Sequence, residues 1–273
     1  MSKRNNWENK QSARERLRAE RERQAKKDKA RRQLFVGGSI VAVLALAGGV
    51  GYAATQLGGD KKDDAWAAAA KKELVKPANT AGDKGTEIVI GKKDAQHTLD
   101  LYQDMRCPIC SVFEQNSGPA IEKDVKDGKY KVSYHIATFI DRNLPGTGSK
   151  NALSALGAAL NVSPEAFTAY NKALYAKGNH PDETKDSFAK DDTLLKIAQQ
   201  VPALKDNKDF EKNVKDGTFD KWALEVSDAF DAQKDITGTP TLKLDGKKLT
   251  SDGKNTPITA DQFTKAVDEA LKG

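Results

Sequence analysis

The two cysteines of this 273-residue chain stand together as Cys107-Pro108-Ile109-Cys110. Any sulfur chemistry belongs to that pair. A ring this short is a poor structural staple, because chain entropy assigns it only about 2 kcal/mol and stabilising disulfides normally clasp far longer loops. Redox turnover, in which the pair cycles between dithiol and disulfide, is the chemistry that suits the spacing.

The neighbouring residues make that chemistry specific. Thr98 to Tyr102 alternates as a strand and Pro108 to Gln115 can follow as a helix, which sets Cys107 at the helix N-cap. Pro108 fits the first helical position, where its missing N–H costs nothing and its φ is preset. Cys110 lies one turn on, on the same face and within disulfide reach. Unpaired N–H groups, the positive end of the helix dipole and the cation of Arg106 favour Cys107 as thiolate. An unshifted thiol, pKa about 8.5, is only a few per cent ionised at neutral pH, but about 2.7 kcal/mol of preferential stabilisation makes the anion the majority form. Asp104 is close enough to assist proton transfer, or to cap the strand end.

These residues need elements to hold them. Thr86 to Ile90, Thr98 to Tyr102 and Tyr130 to Ile136 read as strands, the last two flanking the cysteine helix in β-α-β order. Ser117-Gly118-Pro119 is expected to break or kink that helix. A helical stretch follows: Ser149 to Leu160, a helix opened by Ser163-Pro164-Glu165, Leu194 to Gln200 after Asp192-Thr193, and one from a Thr218 cap to about Gln233. Thr241 to Leu244 and Lys247 to Thr250 form strands turned by Asp245-Gly246, and Thr259-Ala260-Asp261-Gln262 is a capping box for a last helix to Leu271. The pattern is an α/β unit interrupted by an all-helical insertion at about 148–233.

That order, together with two local motifs, resembles the DsbA-like branch of the thioredoxin fold. The motifs are Asp104-Met105-Arg106-Cys107-Pro108-Ile109-Cys110, followed by Phe113 and Glu114, and Gly238-Thr239-Pro240-Thr241, followed by Leu244-Asp245-Gly246. The resemblance runs from about Thr86 to the C-terminus. It implies a thiol:disulfide oxidoreductase that oxidises cysteine pairs in exported proteins, uses no cofactor, and is itself reoxidised by a quinone-linked membrane enzyme of the DsbB or vitamin K epoxide reductase type. It also implies that Pro240 is cis and packed against the cysteines, leaving the Thr239 backbone to pair with an extended substrate segment. Pro-Ile replaces the Pro-His of the strongest oxidants, so a milder potential is expected. Thr before the proline also occurs in isomerases and reductases of related families, which keeps those activities as the alternative. Against a reductase, the acid that thioredoxins place six residues before the first cysteine falls on Leu101. Copper or zinc delivery is a further alternative, with His97, His135 and His180 as imidazoles, but they form no spaced cluster and no metal site is expected.

The N-terminal third speaks to location. Residues 1–33 carry thirteen Lys or Arg against five Asp or Glu, so the overall +6 resides in this arm. Leu34 to Leu57 is uncharged and mostly apolar, about 36 Å of helix, enough to span a bilayer. The positive-inside rule puts the arm in the cytoplasm and the rest outside a cell membrane crossed once by an uncleaved signal anchor. Combined with that anchor, the resemblance is to membrane-tethered DsbA-like proteins of high-GC Gram-positive bacteria. Arg31-Arg32 before the apolar run weakly matches a twin-arginine signal, though topology alone accounts for two arginines there. Glu15, Glu20, Glu22 and Asp28 interleave with the cations at helical spacing, which favours a solvated helix with lipid headgroup contact over a nucleic-acid binder. The expected layout is arm 1–33, transmembrane anchor 34–57, polar linker 58–85 and DsbA-like domain 86–273. Gly146-Thr147-Gly148-Ser149-Lys150 mimics a phosphate loop without its spacing and is expected to be an ordinary turn before a helix.

Overall fold

The computed structural model describes residues 61–272. The basic arm, the apolar span at 34–57 and the first linker residues lie outside the described residues. Among those described, no helix is long and apolar enough to cross a membrane.

A five-stranded sheet in the order β1-β3-β2-β4-β5 organises the domain. Strand β1 (Ile88–Ile90) is an edge, antiparallel to β3 (Tyr130–Ala137). Strand β2 (His97–Asp104) runs parallel to β3, joined by the crossover helix α2 (Pro108–Asp127). Leu99 and Leu101 on β2, and Val132, Tyr134 and Ile136 on β3, are buried where the strands alternate. On the other side β2 pairs antiparallel with β4 (Thr241–Leu244), with Tyr102 opposite Thr241, and β5 (Lys247–Lys248) closes the edge after the Asp245-Gly246 turn. Both turn residues have positive φ, as a two-residue hairpin requires. The last helix, α9 (Ala260–Ala270), carries the expected capping box and packs on α2 through a T-shaped Phe113–Phe263 contact at 5.8 Å.

The insertion between β3 and β4 is helical throughout: α3 (Ile140–Asn143), α4 (Gly148–Val162), α5 (Pro164–Tyr175), α6 (Asp191–Ala198), α7 (Lys208–Lys215) and α8 (Asp220–Asp231). Helix α4 is buried on nearly every side, which explains its run of Ala, Leu and Gly. Gly157 lets the Trp222 ring lie where a Cβ would meet it at 2.7 Å. Ser163 caps α5 by accepting the Ala166 N–H at 3.0 Å, as its position predicts.

Three expectations are corrected. Helix α2 runs unbroken through Pro119, because the proline withdraws a single N–H from a helix held by the sheet, α5 and α9. Thr218 is not a cap: α8 starts after Phe219 without a side-chain cap, and Gly217 makes the preceding turn at φ +60°. Residues 61–85, expected as spacer, are packed on the domain. Helix α1 (Lys61–Ala69) opens the segment, Ala69 is buried, and Trp222 Nε1 donates to Gly85 O at 2.7 Å. Apolar Trp66 and Leu74 inside a charged stretch gave this segment something to bury.

Candidate active site

Strand β2 ends in a turn, Asp104 to Cys107, closed by the Cys107 N–H donating to Asp104 O at 3.0 Å. Cys107 is the N-cap of α2, with φ −73° and ψ 115°, and Pro108 occupies the first helical position. From there the Cys107 sulfur accepts the Cys110 N–H at 3.3 Å, the bond that a Ser or Asp oxygen makes at an ordinary cap. Both cysteines are free thiols. Cys107 keeps only 6% of its surface, against 2% for Cys110.

The two thiols are electrostatically unequal. The hydrogen bond with the Cys110 side chain draws the Cys107 thiol below its usual range. Burial opposes this, Thr239 and the Cys110 N–H reinforce it, and the charge of Asp104 works against it. Burial pushes the Cys110 thiol well up, with the hydrogen bond and charge of Cys107 adding to the effect. The pair therefore favours a thiolate at Cys107 and a protonated thiol at Cys110.

The β2–β4 register brings the loop before β4 against this sulfur. Thr239–Pro240 is a cis peptide, Pro240 is buried, and Thr239 O accepts from the Cys107 thiol at 3.6 Å. Thr239 precedes the first residue of the β2–β4 ladder, and its buried hydroxyl faces the two cysteines, whose ionisation it favours. On the outer face of α2, Ile109 and Val112 are 50% and 45% exposed, an apolar step beside the cysteines.

Asp104 is wholly buried. Its Oδ1 accepts from Ser149 Oγ at 2.6 Å and Arg106 N at 3.0 Å, and its Oδ2 from Ile140 N at 3.2 Å. Burial raises its pKa to about 6 despite these bonds. It thus combines a capping role with a charge near the sulfur. Arg106 has its backbone in the active-site turn, yet its side chain is 1% exposed and reaches into the insertion, to Asp141, Asp186 and Glu183 O. None of its described hydrogen bonds goes to the Cys107 sulfur.

Of the remaining neighbours, Tyr175 carried no sequence signal, and His180 and Glu114 were legible only as an imidazole and as part of the cysteine motif. Tyr175 Oη donates to Asp104 O at 2.9 Å, and His180 Nε2 lies 3.1 Å from Met105 O while its ring stacks on Tyr175. Glu114, one turn after Cys110, is 7% exposed, and burial pushes its pKa up to about 7. It faces a cavity of about 1420 Å³ between α2, α5 and the β1–β3 edge. The other imidazoles lie on carboxylates, His97 on Asp245 at 2.7 Å and His135 on Asp100 at 2.9 Å. Among the described residues no three His, Cys, Asp or Glu side chains are grouped to hold a metal.

A parallel β2-α2-β3 unit with an N-capping cysteine, a second cysteine one turn on and a cis proline opposite defines a thioredoxin-fold protein with a thiol–disulfide exchange site. The sequence profile described as Thioredoxin matches residues 83–269, and the chain belongs to that family. Over 186 residues it is 28% identical to disulfide bond formation protein D of Bacillus subtilis, covering 68% of this chain and 77% of that one. The oxidised crystal structure of BdbD from Bacillus subtilis superposes with a TM-score of 0.56 at 24% identity, over 73% of this chain and 100% of that one. MdbA of Actinomyces oris, a thiol-disulfide oxidoreductase, gives 0.56 at 20% identity, over 71% of this chain and 88% of that one. At these identities the two structures attest the shared fold. Family, relatives and fold together make this chain a DsbA-like thiol–disulfide oxidoreductase.

Proposed function

We propose that this protein is an oxidant of cysteine pairs in exported proteins, held outside the cell membrane by the apolar segment 34–57 with the basic arm in the cytoplasm. The observation that carries the reading is the Cys107 sulfur at the mouth of α2, accepting the Cys110 N–H beside the Thr239–Pro240 loop. A substrate thiolate attacks Sγ of Cys107 in the oxidised pair; a new S–S bond forms, the Cys107–Cys110 bond breaks, and Cys110 leaves with the electron pair and takes a proton. The second substrate thiolate then attacks the substrate sulfur of the mixed disulfide and expels Cys107 as thiolate. Two electrons pass from the substrate dithiol to the cysteine pair. A leaving group stabilised as an anion departs readily and makes its disulfide oxidising, so the environment that lowers the Cys107 thiol supports oxidase duty over isomerase or reductase duty.

The reduced pair then requires reoxidation, for which a quinone-linked membrane oxidase of the DsbB or vitamin K epoxide reductase type is the proposed partner. Thr239 lies outside the strand ladder, which supports pairing of its backbone with an extended substrate, and Ile109 and Val112 offer apolar contact beside it. Acid quenching of cells followed by thiol alkylation tests the reading: the expected result is a mostly oxidised pair, and a mostly reduced pair assigns the protein to isomerisation or reduction. In parallel, Cys107→Ala is expected to abolish exchange with a dithiol peptide.

A further inference from the structure

Arg106 and the phosphate-loop-like turn Gly146 to Lys150 belong to one device. The first N–H groups of α4 are satisfied by carboxylates of the protein itself: Asp186 accepts from Thr147 N at 3.0 Å and Gly148 N at 2.8 Å, and Asp141 from Ser149 N at 3.0 Å and Lys150 N at 2.9 Å. Gly148 makes the room, since a Cβ there would lie 2.5 Å from Asp186 Oδ1 and 3.2 Å from Arg106 Cδ. Into this acidic cradle the active-site turn sends Arg106, with Nη1 2.8 Å from Asp141 Oδ1 and 3.5 Å from both Asp186 Oδ1 and Leu144 O. Its Nη2 donates to Glu183 O at 2.9 Å. The Asp104 carboxylate in the same turn is held by Ser149 of the same helix start.

We propose that Arg106 is a positioning residue for the nucleophile, gripped by the helical insertion so that the 104–107 turn presents the Cys107 sulfur to the Cys110 N–H. The inference rests on the exchange reading of the cysteine pair. Loosening the grip lets Cys107 leave its N-cap conformation, lengthening the one backbone bond that the sulfur accepts. The titratable groups facing that sulfur are Cys110, Asp104 and Tyr175. A planar fork reaches Asp141 from Nη1 and Glu183 O from Nη2, and a lysine ammonium keeps the charge without that two-nitrogen geometry.

Two variants separate positioning from direct action of the charge, read by thiolate absorbance of the reduced full chain across pH. Arg106→Lys keeps the charge and loses the fork. Asp186→Asn removes a negative charge beside Arg106 and loosens the cradle, leaving the guanidinium less neutralised, so direct electrostatics would lower the Cys107 midpoint whereas loss of positioning raises it. The expected result is a midpoint raised by about one pH unit in both, with roughly tenfold slower alkylation at pH values below both midpoints, a difference that disappears at high pH. An unchanged midpoint in the lysine variant, or an unchanged or lowered one in folded Asp186→Asn, overturns the proposal. Should Arg106→Lys fail to fold, Asp186→Asn decides alone, because its side chain is partly exposed and its amide keeps one acceptor. The titration needs no substrate, so a mostly reduced pair in cells would sink the oxidase reading and leave this result standing.

Discussion

Asp104 and Glu114 are two buried carboxyls that bracket the same cysteine pair, one before Cys107 and one a turn after Cys110, and their surroundings are opposite. Asp104 accepts from three donors, Ser149 and Ile140 on two helices and Arg106 in its own turn, which restrain its pKa to about 6. Glu114 has no hydrogen bond or ion pair among its described contacts. Burial, with the charge of Glu122, takes it to about 7, and only Lys172 opposes. A Cβ on Gly118 would lie 2.8 Å from Glu114 Oε1, so the carboxyl folds back into space left by a glycine. Burial raises both acids, so the donors give Asp104 a structural role without removing the cost of burying its charge, whereas Glu114 has that cost alone. The pair teaches that donors give a buried acid something to hold together, while depth penalises its charge in either case.

The comparison breaks most visibly at Asp104. Asp104→Ala leaves Ser149 Oγ and the Arg106 and Ile140 N–H groups without their acceptor in a dry site, and is expected to cost about 3 kcal/mol in urea unfolding at pH 5 and less as pH rises through about 6, where burial penalises the ionised acid. A cost below ~1 kcal/mol at pH 5 would mean that the three bonds merely offset the burial of the carboxyl.

Glu114→Gln is expected to act with the opposite sign, and only at higher pH. A carboxyl whose folded pKa lies above its unfolded value of about 4.3 contributes stability that is full below that value and is lost as pH rises through about 7. At pH 8 the amide is therefore expected to be more stable than the parent by on the order of 2 kcal/mol, and within a few tenths of it at pH 4. Chemical denaturation at both pH values checks this, and an equal effect at each would point to packing as the cause.

The smallest effect is expected from Lys172→Met. Lys172 is half-exposed and already paired with Glu122 at 2.8 Å, so its loss should raise the Glu114 midpoint slightly and cost no more than a few tenths of a kcal/mol. Titrating the Glu114 carboxyl in both proteins by NMR measures it, and a shift of a full pH unit would show Lys172 to be the true partner of this acid.

Much of this arrangement was legible in the residues. Cys107 as N-cap, Pro108 at the first position, the Ser163 cap, the Asp245-Gly246 turn and the Thr259–Gln262 box each follow from local stereochemistry, which a sequence carries in full. Pro119 misled because a local rule about helix breaking is outweighed when neighbouring elements bury the helix on several sides. Residues 61–85 misled because their few apolar side chains sit among charges, and only a waiting surface on the insertion gives them a place. Asp104 was legible as a neighbour of the sulfur but not as the meeting point of Ser149 and Ile140, which lie 45 and 36 residues away along the chain.

The sequence by itself determined that this chain carries one cysteine pair at a helix start, within an α/β unit split by a helical block. It determined these because caps, turns and strand alternation depend on residues a few positions apart. Only the tertiary structure decided where Arg106 points, which carboxylates fill the Gly146–Lys150 turn, and that Glu114 stands alone beside a cavity. Those outcomes depend on which distant side chains arrive within hydrogen-bonding distance, and buried charges are governed by that encounter more than by their own position in the chain.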